Sequence, residues 1–202
     1  MHQEPSGVRI MAYTAIDDPS AHFQIALWTG TQSSNARTND GNSDLQPDFL
    51  WGKEREGGGH WVFDSSRGLP LQLSPDATYT ESTQSTMVTS FNSDGFTLGT
   101  DTGGNETGQT YVGWQWKANG GTRTTNTESG NNPAGGYQVN TTAGFSIVDY
   151  TGTGAAGTMA HGLGAVPDLI IIKNRDVNDA WAVYHSGNTG APETDYLVLN
   201  TD

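Results

Sequence analysis

Apolar positions along the chain fall in short runs separated by Gly, Asn, Asp, Ser and Thr. The runs are "FQIALW" (23–28), "DFLWGKE" (48–54), "HWVFD" (60–64), "LPLQL" (69–73), "STMVTSF" (85–91), "GFTLGT" (95–100) and "TYVGWQWK" (110–117). They continue with "GFSIVDY" (144–150), "DLIIIKN" (168–174), "AWAVYH" (180–185) and "YLVLN" (196–200). Each has the length of a β-strand, and each is bounded by turn-forming residues. In "TYVGWQWK" the two-residue period puts Val112, Trp114 and Trp116 on one face. In "DLIIIKN" both faces are apolar, the pattern of a strand covered on both sides. No window carries a sustained 3.6-residue stripe. "DDPSAHF" offers one helical turn, with Asp18 as cap and Pro19 at its first position. The pattern predicts an all-β protein, an antiparallel β-sandwich or jelly roll.

The same pattern is written twice. Pro47, Asp48, Lys53, Arg55 and Trp61 recur 120 residues later as Pro167, Asp168, Lys173, Arg175 and Trp181. Beyond the Trp, "VFDS" (62–65) aligns with "VYHS" (183–186) after a one-residue slip. Upstream, "FQIALWTGT" (23–31) matches "FSIVDYTGT" (145–153), and downstream "LPLQLS" resembles "DYLVLN". The offset drifts where loops lie, and loops tolerate insertion. The expected organisation is a leader (1–22), a first β-sandwich unit (23–143) and a partial second unit (144–202). The second unit has no counterpart of "TMVTSFNSDGFTLGTDTGGNETGQTYVGWQWK". It is expected to be cut short, completed by another segment or subunit, or folded with the first into one sandwich. What recurs reads as a building block of two strands joined by a polar turn.

Composition sharpens this picture. Gly accounts for 27 of 202 residues without a three-residue period, which fits a turn-rich β protein and excludes collagen. A formal charge of −13 makes nucleic acid an unfavourable partner. There is no cysteine, so disulfides, thiolate metal sites and cysteine nucleophiles are excluded. No 18-residue apolar run is present, and membrane insertion by a helix is not expected. "MHQEPSGVRI" lacks the apolar centre of a signal peptide.

Several residues invite a chemical reading. Lys53 with Arg55, and Lys173 with Arg175, stand two apart, so each pair is expected on one strand face. They could bind an acidic sugar; a salt-bridged strand end, with Asp64 as partner in the first unit, is the plainer reading. Trp51, Trp61, Trp114, Trp116 and Trp181 could stack on sugar rings. The matched placement of Trp61 and Trp181 favours a core role. Asp40, Asn42 and Asp44 alternate as calcium ligands do, but Leu45 and Trp51 break the EF-hand pattern, and a polar turn explains them more simply. A structural calcium there is the one cofactor the sequence raises. His60, Asp64 and Ser65 lack a nucleophile elbow, and Glu54 with Glu56 is a weak glycosidase pair. No catalytic residue is assigned.

The longest motifs are "GFSIVDYTGTG" (144–154), "HGLGAVPDLIIIKNR" (161–175), "WAVYH" (181–185), "DSSRG" (64–68) and "SFNSDGFTLGTDTGGNETGQTYVGWQWK" (90–117). In these the chain resembles a repeat-containing β-sandwich family of tailed phages, many of them marine. The likeness covers most of residues 12–202. "GGGH" interrupts the motif in the first unit, and Glu54 stands where the second has Asn174. The resemblance implies a virion structural protein, tail-fibre-like, with a lectin-like β-sandwich of the jelly-roll kind; it is expected to be non-enzymatic and to lie at an external position on the particle. The expected partners are other virion proteins, host-surface glycans and further copies of itself, although the resemblance implies no particular ligand. A carbohydrate-binding module is the alternative, and a polysaccharide-degrading enzyme a more distant one.

Overall fold

A computed structural model describes residues 16–127 and 129–201. Most of the expected leader, residues 1–15, lies outside the described residues. The chain is all-β and its strands pair antiparallel. In order they are β1 (Phe23–Thr29), β2 (Asn35–Arg37), β3 (Phe49–Glu54), β4 (His60–Asp64), β5 (Leu71–Gln72), β6 (Ser82–Thr83), β7 (Val88–Asn92), β8 (Gly95–Leu98) and β9 (Thr110–Trp116). After them come β10 (Thr124–Asn126), β11 (Gly135–Asn140), β12 (Phe145–Tyr150), β13 (Leu169–Ile172), β14 (Ala182–His185) and β15 (Leu197–Val198). All eleven apolar runs of the sequence contain a strand. The 3-10 turn at Pro19–Ala21 forms as its sequence predicts, with the Asp18 carboxylate accepting from Ser20 N at 2.9 Å.

The first unit is sandwich-like. A four-stranded sheet, ordered β1-β9-β3-β4, covers a three-stranded one, β2-β8-β7. Between them lies one apolar core, in which Trp28, Leu50, Trp61, Phe63 and Tyr111 meet Val88, Phe96 and Leu98. Trp28 stacks on Tyr111, 5.4 Å between centroids, and meets Phe96 edge-on at 5.5 Å. Trp61 needs its neighbour to be glycine. It lies opposite Gly52, and a Cβ there would sit 2.1 Å from the indole.

Buried polar side chains close the loops. Asn105, fully buried at the end of the helical turn Thr102–Asn105, donates to Ser33 O and Gly99 O and accepts from Thr31 N and Asn35 Nδ2. Its carboxamide therefore has a partner for each of its four roles. Asp48, also fully buried, accepts from Ser65 Oγ at 2.6 Å and from the amides of Ala118, Gly120 and Gly121 at 2.7–2.8 Å. It ties the β3–β4 hairpin to the chain that leaves β9.

The second unit departs from two expectations. β10 and β11, assigned by sequence to the first unit, pair with β12, so a sheet crosses the expected boundary at 143/144. Gly135 and Gly136 permit this pairing, since a Cβ on either would strike the backbone of a neighbouring strand. β13 is not covered on both faces: Leu169, Ile170, Ile171 and Ile172 are 40–53% exposed. It is an edge strand of the sheet β13-β14-β15, and none of its residues belongs to the apolar core cluster of the described residues. The equivalent β3 is flanked by β9 and β4 and faces β7 and β8 across the core. Residues 151–160, which follow β12 as β2 follows β1, form no strand.

Candidate functional site

Each hairpin of the repeat begins with an Asp. In the first, Ser65 N donates to Asp48 O and Ser65 Oγ to the carboxylate; in the second, Ser186 N and Oγ do the same to Asp168, at 2.9 and 2.8 Å. The repeated lysine is a turn clamp. Lys53 Nζ donates to Glu54 O and Gly57 O, both at 2.9 Å, and Lys173 Nζ donates to Asn174 O at 2.6 Å and Val177 O at 3.3 Å. Burial holds the Lys173 ammonium below its usual range, against the pull of Asp179.

The expected cationic faces do not form. β3 ends at Glu54 and β13 at Ile172, so Arg55, Lys173 and Arg175 lie in the turns, where a two-residue spacing no longer sets a common face. Arg55 is exposed. Arg175 reaches back to the first unit, binding Glu81 through both carboxylate oxygens at 2.8 and 2.7 Å. Glu81 also accepts from Arg67, whose Nε binds Asp64. Asp64 thus pairs with Arg67, not with Lys53 or Arg55, because Asp64 and Arg67 share the turn that ends β4. Burial alone would raise the Glu81 carboxyl, but the hydrogen bonds and charges of Arg175 and Arg67 outweigh it and hold the group below its ordinary value. A depressed acid stabilises above its unfolded value, about 4.3, and that contribution is lost as pH falls through the lower folded value. Carboxyl-carbon NMR should therefore show Glu81 titrating below an ordinary Glu. In Arg175→Met its midpoint should move up.

The tryptophans divide by face. Trp61 and Trp181 are buried, 2% and 6% exposed, and neither ring is open to a ligand. Trp181 Nε1 donates to Ser74 O and Ala77 O, seating the second hairpin on the loop after β5. The register also revises their equivalence. Gly52 lies opposite Trp61, but Ile172 lies opposite Ala182, so Trp181 takes the place of His60. The slip falls within the turn rather than after the Trp.

The half-buried Trp51, Trp114 and Trp116 lie on the outward face of the four-stranded sheet. Cross-strand pairing aligns Ile25, Trp114, Trp51 and Val62 in one row and Phe23, Trp116 and Phe49 in the next. Trp51 meets Trp114 edge-on at 6.5 Å, and its Nε1 donates to His60 Nδ1 at 2.9 Å. That bond needs a neutral imidazole protonated on Nε2. Burial, with Lys53 nearby, keeps His60 below its usual range, and Asp76 opposes the effect. Phe145 closes one end of the face, stacking on Trp116, while Ile25 and Leu27 leave the other end open at 49% and 60% exposure. This aromatic row is the arrangement that could take the apolar face of a sugar ring or another protein surface.

The other candidates do not converge. His60 and Asp64 stand at opposite ends of β4, about 13 Å apart at the usual strand rise. Ser65 is bound to Asp48, and Glu56 lies outside the strand that carries Glu54. Asp40, Asn42 and Asp44 are exposed. Their loop is held by Gln24, which accepts from Gly41 N and donates to Ser43 O. Among the described residues no three His, Asp or Glu side chains gather as a metal site. The row's signal in the sequence is the alternation of Val112, Trp114 and Trp116, which by itself does not set these rings apart from the buried Trp61 and Trp181.

No curated protein and no solved structure matches the chain. A family model matches residues 18–202, from the Asp18 cap through both copies of the hairpin, and so the chain belongs to that family, a domain of unknown function, DUF7483.

Proposed function

We propose that the protein is a non-enzymatic virion structural component of the tail-fibre type, working in host-surface binding or assembly as an oligomer. The observation that carries this reading is the division of labour within the repeat. Its Asp and Lys hold turns and its Arg175 ties the units together, while the aromatic row of the first unit faces outward. A scaffold that presents a face suits a surface protein better than a catalyst. The resemblance to tailed-phage proteins supports the virion setting, and a lectin-like jelly-roll arrangement belongs to the same proposal. Mass spectrometry of purified particles tests it: the protein should be present in stoichiometric amounts, and its absence would end the reading.

The aromatic row favours a second reading, carbohydrate binding. On a glycan array Trp114→Ala should weaken binding about tenfold, equivalent to about 1.4 kcal/mol and within reach of a stacking contact. Unchanged binding in a folded Trp114→Ala protein would remove the row from the site.

A further inference from the structure

Among the strands the second copy lacks in the described residues is the counterpart of β9. In the first unit β9 lies between β1 and β3. In the second, the equivalents β12 and β13 pair with no common strand among the described residues. Among those residues the edge of β12 that matches the β9 edge of β1 is open. Gly30 N, one residue past β1, donates to Gln109 O, and Lys117 N donates to His22 O, so the even positions of β1 turn toward β9. Their equivalents in β12, 122 residues on, are also even. Thr151 N, at an odd position, donates to Ala134 O, so β11 has taken the opposite edge. The same holds for β13: Ser186 N donates to Asp168 O, which puts the even positions toward β14 and leaves Leu169 and Ile171 facing outward along the edge.

A second, independent feature points to the same occupant. Asp48 receives three backbone amides from residues 118–121, the chain just after β9. Asp168, its equivalent, is exposed, and among the described residues its carboxylate takes Ser186 Oγ and no backbone amide. The receptor for such a turn is present without the turn.

We infer that the open edges of β12 and β13 form an acceptor site for one antiparallel β-strand of the β9 pattern, followed by a tight turn whose amides cap Asp168. The strand alternates between two faces, as the buried Tyr111, Gly113 and Gln115 alternate with the outward Val112, Trp114 and Trp116. Its register follows β9, so the residue playing Trp116 lies opposite both Phe145 and Leu169, as Trp116 lies opposite Phe23 and Phe49. A second copy of this chain does not fit the site with its own β9, which is held between β1 and β3.

The test appends a second copy of residues 77–122 after Asp202 of the full chain and follows amide hydrogen exchange residue by residue. Exchange at Leu169, Ile171, Ser146 and Val148 should slow at least tenfold relative to the unextended chain. It should return to the original rates when the order of the added 110–117 segment is scrambled. Asp168→Ala in the extended chain should reverse part of the protection without altering amides of the first unit. Unchanged exchange at these four positions would overturn the inference, as would equal protection from the scrambled segment. So would protection that rises with protein concentration in the unextended chain, because the edge would then be pairing with itself.

Discussion

Alanine at Asp48 is expected to destabilise the folded chain by about 3–5 kcal/mol, while alanine at the matched Asp168 should cost less than about 1 kcal/mol. Asp48 is fully buried, and its removal leaves the amides of Ala118 and Gly120, and Ser65 Oγ, without their acceptor, while Gly121 N keeps Gln138 Oε1. Each such group loses a charge-assisted bond, and the buried Ala118 amide also keeps its desolvation cost. Asp168 is exposed and holds only the hairpin's own Ser186, whose groups can turn to water. Urea denaturation of the two variants, followed by tryptophan fluorescence, checks the difference. Equal losses would mean that the two aspartates do equal work.

Trp61→Ala should cost about 3–5 kcal/mol, the usual range for emptying a buried aromatic site. Gly52→Ile should be comparably harmful, because even a Cβ at Gly52 meets the Trp61 indole at 2.1 Å. Together the two changes should cost clearly less than their sum, by about 1–3 kcal/mol, because they interact directly. The second unit already uses this exchange: Ile172 opposite Ala182 stands where the first has Gly52 opposite Trp61. One site places its bulk on the β4 side and the other on the β13 side. Thermal denaturation of the two single variants and the double variant closes the cycle, and strict additivity would show that the pair does not share one space.

Much of the fold could be read before any coordinates, because eleven runs carried an apolar or alternating pattern of strand length. The strands that no apolar run marks are polar or very short. β2 reads Asn-Ala-Arg, β6 Ser-Thr and β10 Thr-Thr-Asn; β11 opens with two glycines. Their pairing comes from neighbours, not from their own composition. The exposure of β13 was invisible for a related reason. Four consecutive apolar residues describe a strand fit for burial, and only the partners decide whether it is buried. The site was less legible. A two-residue spacing predicts a shared face only while the strand lasts, and the turns begin before Arg55, Lys173 and Arg175. The link from Arg175 to Glu81 spans 94 residues, and no local pattern signals it.

The second unit lacks the counterpart of β9, and among the described residues β13 is therefore paired along one edge only. Amide hydrogen exchange of the unmodified chain tests it most directly. The account predicts alternating rates along β13, with Ile170 and Ile172 slow, Leu169 and Ile171 fast, and the interior amides of β3 all slow. Uniform protection across residues 169–172, matching that of residues 50–53, would contradict it.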